Sequence, residues 1–269
     1  MGPESEHSLS AGELIIVGSG HLAWQLGEAL TLAGIHCAGV WARKPSAAAA
    51  LAVRLQSRVL PGDPGNWPAA DYVLLAVTDA AIAECAQWIP ARPEQLVFHA
   101  SGSGNLLPLS RHPACGVFWP LAALRKERSP DWQQTPVFVE GSDPVSAQRL
   151  LNLARRISGV VFEADTPLRN AYHLSAVASA NFTLFLLAET QQWLHKQGGD
   201  HRLLLPILSQ VLADFAEASN LHDRQTGPAA RGDGGTVDRQ CRAVSEQPAL
   251  AALYRLFSDL IALQHGSKI

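Results

Sequence analysis

The chain has 269 residues, 47% hydrophobic and 17% charged, which excludes disorder as its main state and suits two domains of roughly 100–200 residues or, as the alternative, one barrel. Lys and Arg number 21 against 24 Asp and Glu, a formal charge of -3, so no overall field draws the molecule to nucleic acid or an anionic membrane. Cys37, Cys85, Cys115 and Cys241 have neither disulfide-framework nor zinc-ligand spacing, so they read as buried thiols in a reducing compartment, with no metal site.

The first twelve residues carry acids and serines and no apolar segment, so a frayed tail is expected there, not a signal peptide or anchor. Leu14 to Val17 is a short apolar run of the kind buried in a parallel sheet, and Gly18 ends it. Helical spacing then runs through Leu22, Leu26, Ala29 and Leu30 to Gly34, and Ile35 to Trp41 is a second apolar run, completing a βαβ unit. Beyond a loop marked by Pro61, Gly62, Pro64, Gly65 and Pro68, buried strands are expected at 72–77 and 96–99. Shorter ones follow at 116–118, 137–139 and 160–162, with a helix over 144–157. This alternation predicts an α/β fold, a doubly wound Rossmann-type parallel sheet, over residues 12–164.

At Asp165-Thr166-Pro167 a capping residue followed by proline opens a long helical pattern reaching about Lys196. Further helices are expected near 203–218, 236–245 and 248–264, with Pro206 either bending the first of these or marking its start. Residues 165–269 therefore read as an all-helical domain. The longest apolar stretch, Ala176 to Ala188, is interrupted by Asn181 and Thr183 and falls short of the ~20 residues that span a bilayer, so a soluble, cytoplasmic protein is expected.

Gly18-Ser19-Gly20-His21-Leu22-Ala23 is G-x-G-x-x-A after the first strand and at the opening of the first helix. The first glycine permits the tight turn, the second lets backbone N–H groups approach a pyrophosphate, and Ala23 packs helix on strand. The alternative is a tight turn with no ligand. At the end of the second strand, where an NAD site offers an acid to the ribose, the chain has Trp41-Ala42-Arg43-Lys44-Pro45-Ser46. Arg43 and Lys44 suit the 2′-phosphate of NADP(H), or form a solvated loop pair. Val77-Thr78-Asp79 and His99-Ala100-Ser101-Gly102 end the next two strands on the ligand-binding edge, so Val77, Thr78 and Ser101 are expected around a nicotinamide; Asp79 is expected to cap the following helix.

In the helical half, Tyr172 and His173 lie in the first turns of the long helix. Asn181 follows His173 by eight residues, two turns plus about 80° of α-helix, so the two could share one broad face. His173 is a candidate proton donor or acceptor, or a hydrogen-bonded core histidine. Residues 226–237 form a glycine-rich loop in which Arg231 either binds a substrate carboxylate or pairs with Asp233.

The glycine motif, Asp71 to Asp79, His99-Ala100-Ser101-Gly102, Tyr172-His173 with Asn181-Phe182, and Thr226-Gly227-Pro228 with Arg231-Gly232-Asp233 together resemble a bacterial family. In that family a Rossmann-like domain precedes a domain of unknown function, numbered 2520. The resemblance covers nearly the whole chain. It implies kinship with pyrroline-carboxylate reductases, 6-phosphogluconate dehydrogenases and hydroxyisobutyrate dehydrogenases, hence NADP binding and a homodimer through the helical domain. The family commonly has His-Pro-Leu where this chain has Trp119-Pro120-Leu121, and the catalytic lysine of the hydroxyacid dehydrogenases has no counterpart. The expectation is an NADP-dependent oxidoreductase acting on a small carbonyl, imine or alcohol in a cleft between the two halves. His173 and Asn181 are its expected catalytic residues, and Tyr172 and Arg231 its substrate residues. The alternative is an NADPH-binding regulator or sensor without turnover.

Overall fold

The computed structural model describes residues 12–267; the expected amino-terminal tail, up to residue 11, lies outside them. The chain divides at Ser175/Ala176 into two compact units.

In the first unit, β1 (Glu13–Val17), α1 (His21–Leu32) and β2 (His36–Trp41) form the expected βαβ unit, and α2 (Pro45–Arg54), β3 (Tyr72–Leu75), α3 (Asp79–Trp88) and β4 (Leu96–His99) follow. β5 (Ala114–Pro120), β6 (Val137–Gly141), α4 (Pro144–Arg155), β7 (Val161–Glu163) and α5 (Thr166–Ala176) complete it. The seven strands lie in the order β2-β1-β3-β4-β5-β6-β7. The order reverses direction between β1 and β3, and the crevice outside the strand ends at such a switch point is where open α/β sheets bind ligands. Every pair is parallel except β5 with β6, where Trp119 faces Phe138 in an antiparallel register. The expected doubly wound parallel sheet holds apart from that pair: a return joins β5 to β6, and α4 then makes a parallel crossover to β7.

The central strands are apolar without interruption because both sheet faces are covered. Leu14 and Ile16 point to a cluster built with Leu26, Leu30, Leu51 and Leu150. Ile15 and Val17 point the other way, to Val73, Ile82, Ala86 and Ile89. Each fully buried side chain of this size contributes about 1.5–3 kcal/mol. The edge strand β7 has only three residues, which limits unwanted pairing.

In the second unit, Val177–Asn181 winds as a π-helix between α5 and α6 (Phe182–Lys196), and the whole segment Thr166–Lys196 is one continuous helix of 31 residues. The expected phase of Asn181 assumed unbroken α geometry and does not hold through this π turn, which turns less per residue. By length and composition this helix could cross a membrane, correcting the expectation of too short a stretch, and none of its most apolar window is buried within the chain. α7 (Leu205–Glu217), α8 (Gly234–Ala243) and α9 (Pro248–Gln264) follow, with Pro206 marking the start of α7. Phe182, Phe185, Leu212, Phe215 and Leu260 are all at least half exposed.

Candidate functional site

A cleft of about 1330 Å³ opens at the carboxyl edge of the sheet, lined wholly by first-unit residues. Its floor is the turn from β1 into α1. Gly18 has φ +124°, and a Cβ there would sit 2.1 Å from the Ala76 carbonyl oxygen, so only glycine permits β1 and β3 to approach. Gly20 differs: its φ of -74° suits any residue, and a Cβ would meet no atom within 4 Å. Nothing in the chain itself requires this second glycine. No side chain caps α1 and no acid lies in its first turn, so its leading N–H groups and the positive end of its dipole face the cleft. Ala23, buried below, packs the helix on the sheet.

At the β2 end, Trp41, Arg43 and Lys44 line the cleft opposite Glu84, Cys85 and Trp88 of α3. The Trp41 and Trp88 rings are 4.4 Å apart, and Trp67 meets Trp88 edge-on at 5.2 Å. Arg43 and Lys44 are exposed and unpaired with any acid among the described residues. The thiols of Cys37 and Cys115 are buried, as expected; Cys85, part of the wall, and Cys241 are only partly buried. Burial pushes all three thiols up from their ordinary range, with Glu84 adding to the effect at Cys85.

At the other end lie Val77, Thr78, Asp79, Ser101, Gly102, Trp119 and His173. Asp79 does not cap α3 as expected; Thr78 holds the cap position, and Asp79 accepts hydrogen bonds from the hydroxyls of Ser101 (2.8 Å) and Ser103 (2.9 Å). Ser101 reaches the cleft wall with both its donors engaged internally, because its N–H donates to His99 Nδ1 at 3.1 Å. His99 is fully buried, with Nε2 3.1 Å from the Asn105 carbonyl, and desolvation holds its imidazole below the usual range.

Arg169 of α5 is fully buried beneath this loop, bonded to Glu140, to the Gly104 carbonyl and to Thr166. With its amide nitrogen turned toward them, Asn170 donates to the carbonyls of Gly102 and Ser103 at 3.2 Å. Gly102 lies so close to the next helix that a Cβ would fall 2.5 Å from His173 Cδ2 and 2.7 Å from Trp119 Cε2. His173 is half-buried on the cleft wall, 5.7 Å from the Trp119 ring. Tyr172 faces Phe138 instead, at 4.6 Å.

Thus Gly18, Ser19, Gly20, His21, Leu22, Arg43, Lys44, Val77, Thr78, Ser101 and His173 share one cleft. Asn181 lies in the π turn of the second unit, exposed, and Arg231 in the loop before α8, its N–H donating to Gly227. Sequence reasoning missed Trp88, Glu84 and Arg169. Trp88 and Glu84 gave no local signal because their neighbours in the cleft come from β2. Arg169 looked like an ordinary polar position on a helix. The described residues hold no cluster of His, Cys, Asp and Glu fit for a metal ion.

The model of the domain of unknown function DUF2520 matches residues 135–261. No curated protein sequence matches the chain. Among solved structures, a Bacteroides fragilis protein provisionally described as an NADP oxidoreductase is similar at 29% identity and TM-score 0.86, over 95% of this chain and 100% of that one. A reductive aminase from Aspergillus terreus, solved with NADPH and ethyl-5-oxohexanoate, is similar in fold at 13% identity and TM-score 0.75, over 96% of each chain. An imine reductase from Pseudomonas sp. shares the fold at 16% identity and TM-score 0.73, over 95% of this chain and 94% of that one.

Proposed function

We propose that this chain, with the Rossmann-type fold of the NADP oxidoreductases, binds NADP(H) in the cleft and uses it to oxidise or reduce a small carbonyl, imine or alcohol. The observation that carries this reading is Gly20, a glycine with ordinary backbone angles and open space before it. Close approach of a ligand to the uncapped start of α1 gives that position its reason. The residues present fit the group: the first turn of α1 would hold its pyrophosphate, Trp41 and Trp88 would flank the adenine, and Arg43 with Lys44 would take the 2′-phosphate. When bound, the cofactor supplies or accepts the hydride.

In this reading Val77, Thr78 and the braced loop 100–104 form the wall against the nicotinamide. His173 gives or takes the proton at the reacting carbonyl, imine or alcohol. The helical unit pairs with a second copy in the cytoplasm.

The test is calorimetric titration with NADPH and NADH. Arg43→Ala removes a charge-assisted phosphate contact and weakens NADPH by roughly ten- to a hundred-fold while sparing NADH. Equal loss for both removes Arg43 from the site. Loss of NADPH absorbance against a panel of keto acids, imines and aldehydes separates an enzyme from a sensor that binds without turnover.

A further inference from the structure

The return from β5 to β6 leaves the sheet at its carboxyl edge, and residues 122–128 of that return fold onto the first turn of α1. Gln25, buried in α1, donates through Nε2 to the carbonyls of Arg125 (2.6 Å) and Lys126 (3.1 Å). The Lys126 backbone N–H donates to His21 Nδ1 at 2.9 Å, and its ammonium lies 4.8 Å from the Trp24 ring centroid. Arg125 and Arg128 close the segment on itself as an isolated bridge. Three cations and Glu127, all exposed, are thus gathered beside the start of α1, whose His21 lines the cleft.

The bond to His21 has a chemical consequence. A ring nitrogen that accepts a backbone N–H carries no proton, so the neutral imidazole must hold its proton on Nε2. Among the described residues nothing hydrogen-bonds that Nε2, and His21 lines the cleft. We propose that residues 122–128 are a strap over the phosphate end of the site: Lys126 fixes the tautomer of His21 so that Nε2–H donates to a diphosphate oxygen of the dinucleotide, and the strap's cations close over that charge. This rests on the dinucleotide reading above. It adds a ring N–H donor to a turn that otherwise offers backbone N–H groups and the Ser19 hydroxyl.

The experiment compares wild type, His21→Phe and His21→Asn, all as the full chain. His21→Phe loses latch and donor and weakens NADPH and NADH alike by roughly tenfold, since the diphosphate is common to both. In His21→Asn, Oδ1 still takes the Lys126 N–H, but no group reaches the place of Nε2. It keeps the strap and loses similar affinity, which guards against a His21→Phe protein that fails to fold. Nitrogen NMR of the wild type shows a pyridine-like Nδ1 and a protonated Nε2 at His21. NADPH slows tryptic cleavage after Arg125, Lys126 and Arg128 severalfold in wild type and not in His21→Phe. Unchanged affinity in both variants, a proton on Nδ1, or cleavage indifferent to NADPH overturns the strap while leaving the dinucleotide reading standing. A wild-type protein that binds neither cofactor overturns both.

Discussion

Replacing Arg169 with methionine tests whether the loop after β4 is held from below. The guanidinium is fully buried and meets the Glu140 carboxylate, the Gly104 carbonyl and the Thr166 hydroxyl. Methionine fills much of the same volume but leaves Glu140, whose side chain is 18% exposed, with only the Thr166 hydroxyl at 2.9 Å, and leaves the Gly104 carbonyl bare. Breaking a buried ion pair from one side costs about 3–5 kcal/mol. At about 2–4 °C per kcal/mol for a domain of this size, the melting temperature falls by about 6–20 °C. The double change Arg169→Met with Glu140→Leu removes the stranded carboxylate and recovers most of the loss. The remaining deficit is the unsatisfied Gly104 carbonyl, about 1–3 kcal/mol. Calorimetric melting of the three proteins reads this directly. A loss under about 1 kcal/mol in the single variant, or a double variant no more stable than the single, refutes the bracing argument.

Burial holds His99 and His112 below their usual range, so the unfolded chain takes up protons first as the solution is acidified. Their contribution is complete above the unfolded value of about 6.5 and is lost as pH falls below it. Urea midpoints therefore drop between pH 8 and pH 5.5 and the drop shrinks in His99→Gln; equal midpoints would contradict the burial argument. His173→Ala leaves NADPH affinity nearly unchanged and lowers turnover by ~10²–10⁴-fold, whereas a lowered melting point with normal turnover per folded molecule assigns the residue to packing. The half-exposed Phe182, Phe185 and Leu212 predict that light scattering gives twice the chain mass and that Phe185→Glu shifts it toward one. A monomeric wild type contradicts pairing, and co-sedimentation with phospholipid vesicles turns the apolar face toward lipid.

The central strands were legible because helices cover both faces of the sheet, so Ile15 and Ile16 are equally apolar although they point opposite ways. The reversal at β6 was not: Val137-Phe138-Val139 reads the same whichever way its neighbour runs, and direction is decided by a connection whose path no local pattern records. The π turn hid for a similar reason, since Val177-Ala178-Ser179-Ala180-Asn181 is as compatible with α winding. The glycines, Arg43 and His173, each singled out for chemistry local to its own stretch of sequence, come to line one cleft. Asp79 was misread because the serines it binds lie 22 and 24 residues on, and capping is the nearest use a sequence offers for an aspartate there.

Gly18 and Gly20 stand two residues apart in one turn, yet they answer to different pressures. Any side chain at Gly18 collides with the Ala76 carbonyl, so its replacement is removed by selection for folding alone. A methyl group at Gly20 collides with nothing in the free protein. On the proposed reading, a descendant that kept the fold and lost the cofactor would retain the first glycine indefinitely and let the second drift. A mutational scan scored by abundance would then pass over Gly20, while one scored by NADPH capture would not.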